Sequence, residues 1–544
     1  MTEYTPLSDR YPPGVESVAI AVAAGVAGLL GSYAAVGFAP GFVVAPIEST
    51  LSRVMPGFLI TFAITVLGDL GQQLNLLMAG TIVVVLYAQS VLVTISAGRA
   101  LDNRLVPLLG GPAIVWAVTA VLTGQPITSL GAAVGAGVVV AVTDLSRSGE
   151  RFVGQHDPKG RRRVVTAIGA ALGASALGYA IGRDSQSFTG GDSAAGGSGG
   201  SESQGGSDND RPRGDPAIYG NVEVPEFDVD NQLAAAEERT FSFGEMDPLV
   251  SEKFFNVSYS SVSPTPDAAE WSLTVTGEVE QQLSYDYADL REMDFEHRFI
   301  SLRCVGESLN GHKMDNAVWS GVPIAPLIED AQPNSECNCV MLRAADDYYE
   351  EFPLEALETG MLALGMNGEP LPRSHGAPVR ALIPGHWGEI NVKWLTEIEF
   401  LEREQDGYWE KKGWHGTGPV NTVAKIHATD RTEDGLLQVG GHTYAGTRGI
   451  DTVEVSVDGG DTWTEAELTE RLPGATGAVA DPPEFAQDAW RQWKYVYDPP
   501  DGTHDVVARA TDGTGQRQPK DETGAYPSGP TGWVRKTIDP GSVQ

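Results

Sequence analysis

The sequence predicts a chain of three structural parts: an α-helical membrane domain, an α+β domain and an all-β sandwich. Charge-free apolar runs fill the first third of the chain, and a stretch rich in Gly, Ser and Asp follows them. Short β-branched runs then alternate with helical segments, and the C-terminal part carries strand signals only. The predicted parts are a membrane domain at 1–183, a flexible linker at 184–215, the α+β domain at 216–415 and the sandwich at 416–544.

Six apolar runs define the predicted membrane domain. A helix of about 20 apolar residues crosses a bilayer, and most of the runs reach that length. The second run is short and contains Pro56, so it is the weakest candidate. Small-residue spacing, as between Gly131 and Gly135, is typical of helices that pack closely in a membrane. The runs lie at about 17–38, 54–68, 74–97, 105–122, 127–143 and 164–182.

Basic residues predict the orientation of these spans, because Lys and Arg are retained on the cytoplasmic side. The basic residues of the domain are Arg53, Arg99, Arg104 and a cluster at 147–163. They fall in alternate loops, so all of these loops can be cytoplasmic at once. This arrangement predicts a multi-pass protein of the cell membrane, with its N-terminus and everything after the last span on the extracytoplasmic side.

The last run also resembles an export signal. Arg161 and Arg162 are followed by one further residue, two valines and a weakly apolar helix of small residues, which is typical of twin-arginine signals. That pathway carries domains that have already folded around a cofactor. An ordinary positive-inside anchor explains the same residues equally well.

Histidine and cysteine usage limits the electron-transfer groups that the chain can hold. No apolar run contains a histidine, and the only histidine before residue 200 is His156, in a loop. Haem held by two histidines inside the membrane is therefore excluded, and three cysteines are too few for an iron–sulfur cluster. The sequence predicts an anchoring role for the membrane domain and neither haem nor iron–sulfur cofactors.

The charge of the chain is concentrated after the membrane domain. Residues 184–544 carry 26 basic against 63 acidic residues, within a net charge of −35 for the whole chain. A field this negative argues against nucleic acid as a partner, because each phosphate contact needs a cation. An acidic, lysine-poor surface is typical of proteins from high-salt environments, although it also serves solubility alone.

Three cysteines in 544 residues exclude a disulfide scaffold. Cys337 and Cys339, in "ECNCVML", lie two apart in a predicted strand and would point to the same face. An extended pair at that spacing is near the upper limit for a bridge, so we expect both thiols to serve core packing. Cys304 stands alone, between an apolar run and a glycine.

Strand patterns divide the soluble part. "WSLTVTGEV" and "FISLRCVG" are β-branched runs separated by helical segments, which predicts an α+β domain. Later, Val453, Val455 and Val457 alternate into an Asp-Gly-Gly hairpin, and "WRQWKYVYD" and "GTHDVVARATD" repeat that spacing. This spacing predicts an immunoglobulin-like sandwich for the C-terminal part.

Four motifs in this order resemble the sulfite oxidase family of molybdopterin-dependent oxidoreductases. They are "CVGESLNGHKMDNAVWSGVPIAPLIEDA", "PLPRSHGAPVRALIPGHWGEINVKWL", "GYWEKKGW" and "VEVSVDGGDTW". The resemblance runs from about Pro225 to Ile538. It implies a molybdopterin-binding α+β domain followed by an immunoglobulin-like dimerisation domain. A membrane-anchored, exported member of the family would have this organisation.

The resemblance implies a role for several side chains. Cys304 would be the thiolate that binds molybdenum, because a soft anionic sulfur stabilises a high-valent metal. His375, Arg380 and Lys393 would hold the phosphate and the pterin edge of molybdopterin, with Asn391 and backbone amides nearby. The alternative is that the cysteine is a buried structural residue and that the cations are solvated.

Two aromatic segments are weaker candidates. Phe254, Phe255 and Asn256, in "EKFFNVSYSS", resemble the first strand that contacts the pterin, although an aromatic pair at this point is as often part of the core. Tyr348 lines up with a tyrosine that the family places beside the metal, where its hydroxyl would orient substrate or water. Tyr349 is the competing residue, on the opposite face of a strand.

Two departures from the family affect the substrate. Sulfite oxidases follow the metal-binding cysteine with an arginine that helps bind the anion, whereas this chain has Glu307 and no arginine before Lys313. Their second anion-binding arginine has no counterpart near the C-terminus. Substitute cations would have to come from Lys411, Lys412 and His415. A site short of cations holds a dianion such as sulfite poorly.

The sequence therefore predicts a membrane-anchored, extracytoplasmic molybdenum oxidoreductase. Sulfite oxidation is the leading activity by resemblance, and reduction of an S-oxide such as methionine sulfoxide, or of nitrate, is the alternative. Electrons would pass to or from a separate carrier, such as a small copper protein or a cytochrome, and the C-terminal domain would form a homodimer. A non-catalytic surface protein with a degenerate molybdenum fold is the remaining hypothesis.

Overall fold

The computed structural model describes residues 14–149, 169, 214–334, 336–479 and 482–543. The chain divides into two compact units. Nearly all of the predicted sixth span and of the linker, as well as the twin arginines, lie outside the described residues. The first unit comprises Met1–Met55, Gly68–Gly196 and Ser258–Thr265, and the second comprises Pro56–Leu67, Gly197–Val257 and Pro266–Gln544.

Six α-helices and two short π-helical segments, Ala63–Leu67 and Val106–Gly110, occupy the N-terminal region of the described chain. Three helical stretches are long and apolar enough to cross a membrane: Val15–Val36, Leu70–Ala100 and Val106–Thr123. A fourth is added if the pair Val44–Val54 and Gly57–Leu67 counts as one span. The helices are α1 (Val15–Val36), α2 (Val44–Val54), α3 (Gly57–Phe62), α4 (Asp69–Ala100), α5 (Gly111–Thr123) and α6 (Leu130–Gly149).

The predicted second span, 54–68, is wrong as a single straight span. Its residues lie in a helix pair that is bent by 109°. Pro56 lies between α2 and α3, where its ring and missing N–H end the preceding helix. The residues after the bend, Pro56–Leu67, belong to the second unit.

The small-residue spacing in α6 brings two helix backbones together, as predicted. A Cβ on Gly131 would collide with the carbonyl of Gly31, and one on Gly135 would collide with the carbonyl of Ala27. Glycine at these positions therefore lets α1 and α6 lie in backbone contact.

The α+β part of the second unit is built on two sheets. One has the order β2-β1-β10-β5-β6, in which only the β1–β10 pair is parallel. The other has the order β17-β3-β4-β7-β8, with β9 also paired to β7. The strands are β1 (Ser272–Gly277), β2 (Leu283–Asp286), β3 (Glu296–Arg303), β4 (Met314–Pro323), β5 (Cys339–Ala344), β6 (Tyr349–Pro353), β7 (Met361–Met366), β8 (Glu369–Pro370), β9 (Arg380–Leu382) and β10 (Leu395–Phe400). The helices are α7 (Pro216–Tyr219), α8 (Asp230–Arg239), α9 (Tyr287–Arg291), α10 (Ala325–Ala331) and α11 (Leu354–Leu357).

The C-terminal part forms two antiparallel sheets that share one hydrophobic core. Their orders are β11-β13-β18-β16, with β12 also on β13, and β15-β14-β19-β20. Strand β17 instead pairs with β3 and so joins this part to the α+β sheets. The strands are β11 (Val423–Ala424), β12 (Ala428–Arg431), β13 (Leu437–Tyr444), β14 (Ile450–Ser456), β15 (Thr464–Glu465), β16 (Glu467–Leu468), β17 (Thr476–Gly477), β18 (Arg491–Tyr497), β19 (His504–Asp512) and β20 (Val534–Ile538).

The expectation that Cys337 and Cys339 serve only as packing thiols is wrong, because the structure joins them in a disulfide. The expectation assumed an extended strand at both residues. Asn338 between them has a φ of 50°, in the left-handed region. This turn brings the two Cα atoms to 5.2 Å, which is within the range of an ordinary disulfide.

A buried ion-pair network holds the loop after β3, where Cys304 lies. Glu307 accepts hydrogen bonds from Arg303 Nε and Lys425 Nζ, both at 2.7 Å. The three side chains are at most 1% exposed. Within the loop, the Cys304 amide donates to the Lys313 carbonyl at 2.9 Å. One carboxylate therefore pairs with two buried cations and holds the loop against the C-terminal part.

We expect Glu307→Ala to destabilise the second unit, because it leaves two buried cations without their partner. Removing one member of a buried ion pair costs about 3–5 kcal/mol, or a melting temperature lower by about 6–20 °C. Thermal unfolding of the purified full-length protein measures this. Glu223→Ala, which removes an exposed partner of Arg291, is the control and should change the melting temperature by under about 2 °C. A Glu307→Ala protein that melts with the wild type would contradict the network's role.

Candidate functional site

Cys304 lies just after β3, against a short turn, Gly388–Ile390. A Cβ on Gly388 would lie 3.3 Å from the Arg303 carbonyl oxygen and 4.0 Å from the Cα of Cys304. Burial raises the pKa of the Cys304 thiol to about 11. Among the charges that act on it, Lys313 lowers the pKa and the carboxylates of Glu307 and Glu389 raise it. A thiol in this position becomes a thiolate when a metal cation binds it.

Three predicted cofactor-binding basic residues lie close together. Arg380 Nη1 donates to the His375 carbonyl at 3.4 Å, and a Cβ on Gly376 would lie within 3.1 Å of both Lys393 Cα and Arg380 Cβ. Burial, followed by the charges of Lys393 and Arg380, lowers the pKa of His375 to about 3. Burial and Arg380 likewise lower the pKa of Lys393, and burial lowers that of Arg380 to about 9. A bound anion would relieve this repulsion, so the cluster fits a phosphate.

The predicted aromatic segment lies at the same cluster. The ring of Phe254 contacts those of His375 and Trp319 edge to face, at centroid distances of 5.6 and 5.5 Å, and stacks on Phe255 at 5.5 Å. Asn256 is exposed, and its side-chain oxygen accepts a hydrogen bond from Lys393 Nζ. The structure therefore brings residues 254–256 together with the cations, about 120 residues away in sequence.

The side chain of Asn391 is occupied by backbone groups. Its Oδ1 accepts from the amide of Ile383 at 2.7 Å, and its Nδ2 donates to the carbonyl of Trp387 at 2.9 Å. Its own carbonyl accepts from Arg380 Nε at 3.2 Å. Asn391 thus positions Arg380 and the turn, and its direct contact with a cofactor stays a prediction.

The two candidate tyrosines point to different partners. Tyr348 Oη lies 3.1 Å from Glu350 Oε1 and 3.0 Å from the carbonyl oxygen of Glu389, in the turn beside Cys304. Tyr349 Oη accepts from the exposed Lys411 at 2.9 Å. Tyr348 is therefore the tyrosine on the Cys304 side.

The three residues predicted as substitute anion-binding cations make other contacts in the structure. Lys411 is bonded to Tyr349, and Lys412 Nζ lies 4.8 Å from the ring centroid of Tyr408. His415 is exposed, and its amide donates to the carbonyl of Pro527. The contacts of these three residues therefore offer no support for their role in binding an anion at Cys304.

Sequence reasoning missed three buried glutamates near Tyr348: Glu350, Glu389 and Glu410. Glu350 is fully buried, and burial together with Glu410 raises its pKa well above the ordinary value. The same two causes raise the pKa of Glu389 to about 8. Strand alternation offered a signal, because Glu350 lies two residues from Tyr348 and so shares its face. Glu389 lies within the motif "GHWGEINVKW". From this motif the sequence prediction took only Asn391 and Lys393 as site residues.

An apolar wall beside Cys304 was also missed. A Cβ on Gly306 would lie 2.8 Å from Ile64 Cγ2 and 3.8 Å from both Cys304 Sγ and a ring carbon of Trp414. Ile64 follows α3, and a Cβ on Gly57 at the start of α3 would lie 2.6 Å from the carbonyl oxygen of Lys412. The segment Pro56–Leu67 thus packs against the Cys304 loop.

The side chains around Cys304 fit a metal that takes one ligand from the protein and most of its ligands from a bound cofactor. Among the described residues, no group of three or more His, Cys, Asp or Glu side chains converges to hold a metal ion. A metal at Cys304 would therefore take its further ligands from a bound organic cofactor, which the cationic cluster is able to hold through its phosphate.

Comparisons with known proteins agree with this geometry. The oxidoreductase molybdopterin-binding domain model matches residues 261–409, and the Mo-co oxidoreductase dimerisation domain model matches residues 419–528. Sulfite oxidase of Arabidopsis thaliana is 25% identical over 321 residues, which cover 49% of this chain and 81% of that protein. The uncharacterized oxidoreductase YuiH of Bacillus subtilis (strain 168) is 31% identical over 154 residues, covering 28% and 76%.

Among solved structures, the sulfane dehydrogenase SoxCD from Paracoccus pantotrophus aligns with a TM-score of 0.43 at 18% identity, covering 59% of this chain and 95% of that chain. The two domain models lie in the predicted order, and the first spans Cys304 together with the predicted cofactor-binding cations. The chain therefore belongs to the sulfite oxidase family of molybdopterin-dependent oxidoreductases.

Proposed function

We propose that the chain is a membrane-anchored, extracytoplasmic molybdenum oxidoreductase that transfers an oxygen atom to or from a small molecule. The observation that carries this proposal is the cluster of His375, half-buried Lys393 and buried Arg380, in the same domain as the half-buried thiol of Cys304. The cations would hold the phosphate of molybdopterin, and Cys304 would bind its metal. When bound, this cofactor would supply two-electron chemistry coupled to the transfer of an oxygen atom.

The surroundings of Cys304 favour a neutral substrate. Glu307 and Glu389 act on the thiol together with one cation, Lys313. Because its pKa is raised to about 8, Glu389 is mostly a neutral acid at pH 7 and is able to donate a hydrogen bond to an oxygen atom. Ile64 and Trp414 add apolar surface. An S-oxide, such as methionine sulfoxide, meets these conditions better than the sulfite dianion does.

Sulfite oxidation is the second candidate. The relatives include a protein named sulfite oxidase, of which this chain covers 81%. A dianion at this site would need cations that the three proposed substitutes, Lys411, Lys412 and His415, show no sign of supplying. The neutral acid at Glu389 and the apolar surface of Ile64 and Trp414 therefore favour S-oxide reduction over sulfite oxidation.

The setting in the cell follows from the N-terminal region. Three helical stretches are long and apolar enough to anchor the chain in a membrane. The basic residues of alternate loops would place the second unit on the extracytoplasmic side if the bent pair Val44–Val54 and Gly57–Leu67 crosses the membrane once. Electrons would then pass one at a time to or from a separate carrier, such as a small copper protein or a cytochrome. The C-terminal part, as an immunoglobulin-like domain, would pair two copies of the chain, as the description of its family model suggests.

We expect the purified full-length protein to contain molybdenum, and Cys304→Ser to abolish turnover while the fold is kept. Elemental analysis, circular dichroism and activity with artificial electron carriers measure these three properties. The double variant Cys337→Ser with Cys339→Ser is the matched control, because it removes sulfur at the disulfide, which packs with Met341 and Leu401. Undiminished turnover in Cys304→Ser would refute the ligand assignment.

We expect the enzyme to reduce methionine sulfoxide with a higher kcat/KM than it oxidises sulfite. The physical reason is that a dianion must be desolvated beside carboxyl groups, whereas a neutral S-oxide accepts hydrogen bonds from them. Steady-state assays of both reactions with artificial carriers give the ratio. Efficient sulfite oxidation without S-oxide reduction would reverse the order of the two candidates.

A further inference from the structure

A buried acid pair lies behind Tyr348. Glu350, on β6, is 0% exposed. Its Oε1 accepts hydrogen bonds from the Trp409 amide at 2.9 Å and from Tyr348 Oη at 3.1 Å. Its second oxygen points the other way, towards Glu410: a Cβ on Gly407 would collide with the Oε2 atoms of both glutamates.

The contact between the two carboxyl groups favours a protonated Glu350. Among the described residues, no donor reaches Glu350 Oε2 or either side-chain oxygen of Glu410. Two buried carboxylates in contact cannot both be ionised, because their repulsion is not screened by water. Burial and Glu410 accordingly raise the pKa of Glu350 well above its ordinary value. The pair therefore holds at least one proton at neutral pH.

The Glu410 end of this pair adjoins an acidic surface. Glu351 follows Glu350 on β6 and so points to the opposite face of the strand. Burial, together with the carboxylates of Glu404, Glu410 and Asp406, raises the pKa of Glu351 to about 7. Glu404 and Asp406 are exposed to solvent. Glu410 thus lies near acids that are exposed to water.

The Glu350 end is connected, through Tyr348, to the turn that lies against Cys304. Tyr348 Oη has two acceptors, Glu350 Oε1 at 3.1 Å and the Glu389 carbonyl at 3.0 Å. The hydroxyl proton bonds to only one acceptor at a time. Rotation of the hydroxyl group therefore directs this proton either to Glu350 or to the turn beside Cys304. The carboxyl of Glu389 also faces the pair. The two cations that follow Glu410 in sequence lie elsewhere: Lys411 bonds to Tyr349, and Lys412 lies over the ring of Tyr408.

We propose that Glu410 and Glu350 are positioning residues that pass protons between solvent and the hydroxyl of Tyr348 during turnover. This inference rests on the proposed oxygen-atom transfer, which moves two protons in either direction. An S-oxide, two protons and two electrons give a sulfide and water, whereas sulfite and water give sulfate, two protons and two electrons. The separate carrier protein supplies or accepts the electrons. Each acid releases one proton as it takes up another, so the relay itself is unchanged after turnover.

Two isosteric variants of the full-length holoenzyme test the relay: Glu350→Gln and Glu410→Gln. In Glu350→Gln the new amide oxygen is still able to accept from Tyr348 and Trp409, so the fold should be kept, and the molybdenum content checks this. We expect kcat to fall about 100-fold in Glu350→Gln, with KM within about twofold of the wild type, because neither acid contacts the substrate. The solvent deuterium isotope effect on kcat should rise, and added formate should restore part of the rate. Glu402→Gln removes an exposed acid of the same segment and is the matched control.

Three outcomes would overturn either the proton relay or the proposed function. Values of kcat and of the isotope effect within about twofold of the wild type in both variants would overturn the relay. A fall in kcat with an unchanged isotope effect and no rescue by formate shows a structural role only, and would also overturn it. A wild-type enzyme that transfers oxygen neither from S-oxides nor to sulfite would overturn the proposed function, on which the relay rests.

Discussion

The unfavourable environment of three neighbouring basic side chains is the constraint on which the site depends. Burial lowers the pKa values of His375, Arg380 and Lys393. The charges of Lys393 and Arg380 lower that of His375 further, and the charge of Arg380 lowers that of Lys393 further. A folded protein tolerates such an arrangement when an anion compensates it. The fold therefore stores an unfavourable interaction that binding of an anionic cofactor would relieve, so cofactor loading should stabilise the native state.

The turn Gly388–Ile390 joins this cationic cluster to the reactive side of the site. It lies against Cys304 on one side, and its carbonyl at Glu389 is an acceptor for Tyr348 on the other. Asn391, at the end of the turn, bonds to Arg380 and to the backbone at Ile383. A single short segment thus sets the relative positions of the thiol, the tyrosine and the cations. This dependence on one rigid segment explains why residues from separated motifs meet.

Sequence motifs predicted the order of the parts and the residues that converge. Phe254, Asn256, His375, Arg380 and Lys393 were named from motifs and lie together in the structure. Other features depend on tertiary contacts that no motif records. The acid pair of Glu350 and Glu410 is one example, since burial and a neighbour 60 residues away determine its protonation.

Local backbone conformation explains two further differences. The left-handed φ of Asn338 allows the disulfide that an extended strand would not favour. Pro56 bends an apolar run that composition alone assigned to one span, and the segment after the bend packs beside the Cys304 loop. In each case hydrophobicity and spacing were read correctly, but one residue's backbone preference changed the outcome.

The most direct measurement is thermal unfolding of Lys393→Met in the cofactor-free and the cofactor-loaded protein. Because burial and the charge of Arg380 disfavour a charged lysine at residue 393 in the cofactor-free wild type, Lys393→Met should melt at a higher temperature than the wild type in that state. In the loaded protein the order should reverse, since the variant loses a partner of the bound phosphate. Lys411→Met, at an exposed lysine bonded to Tyr349, is the control and should show no such reversal. A Lys393→Met protein that melts below the wild type in both states would contradict the claim that this cluster is built for an anion.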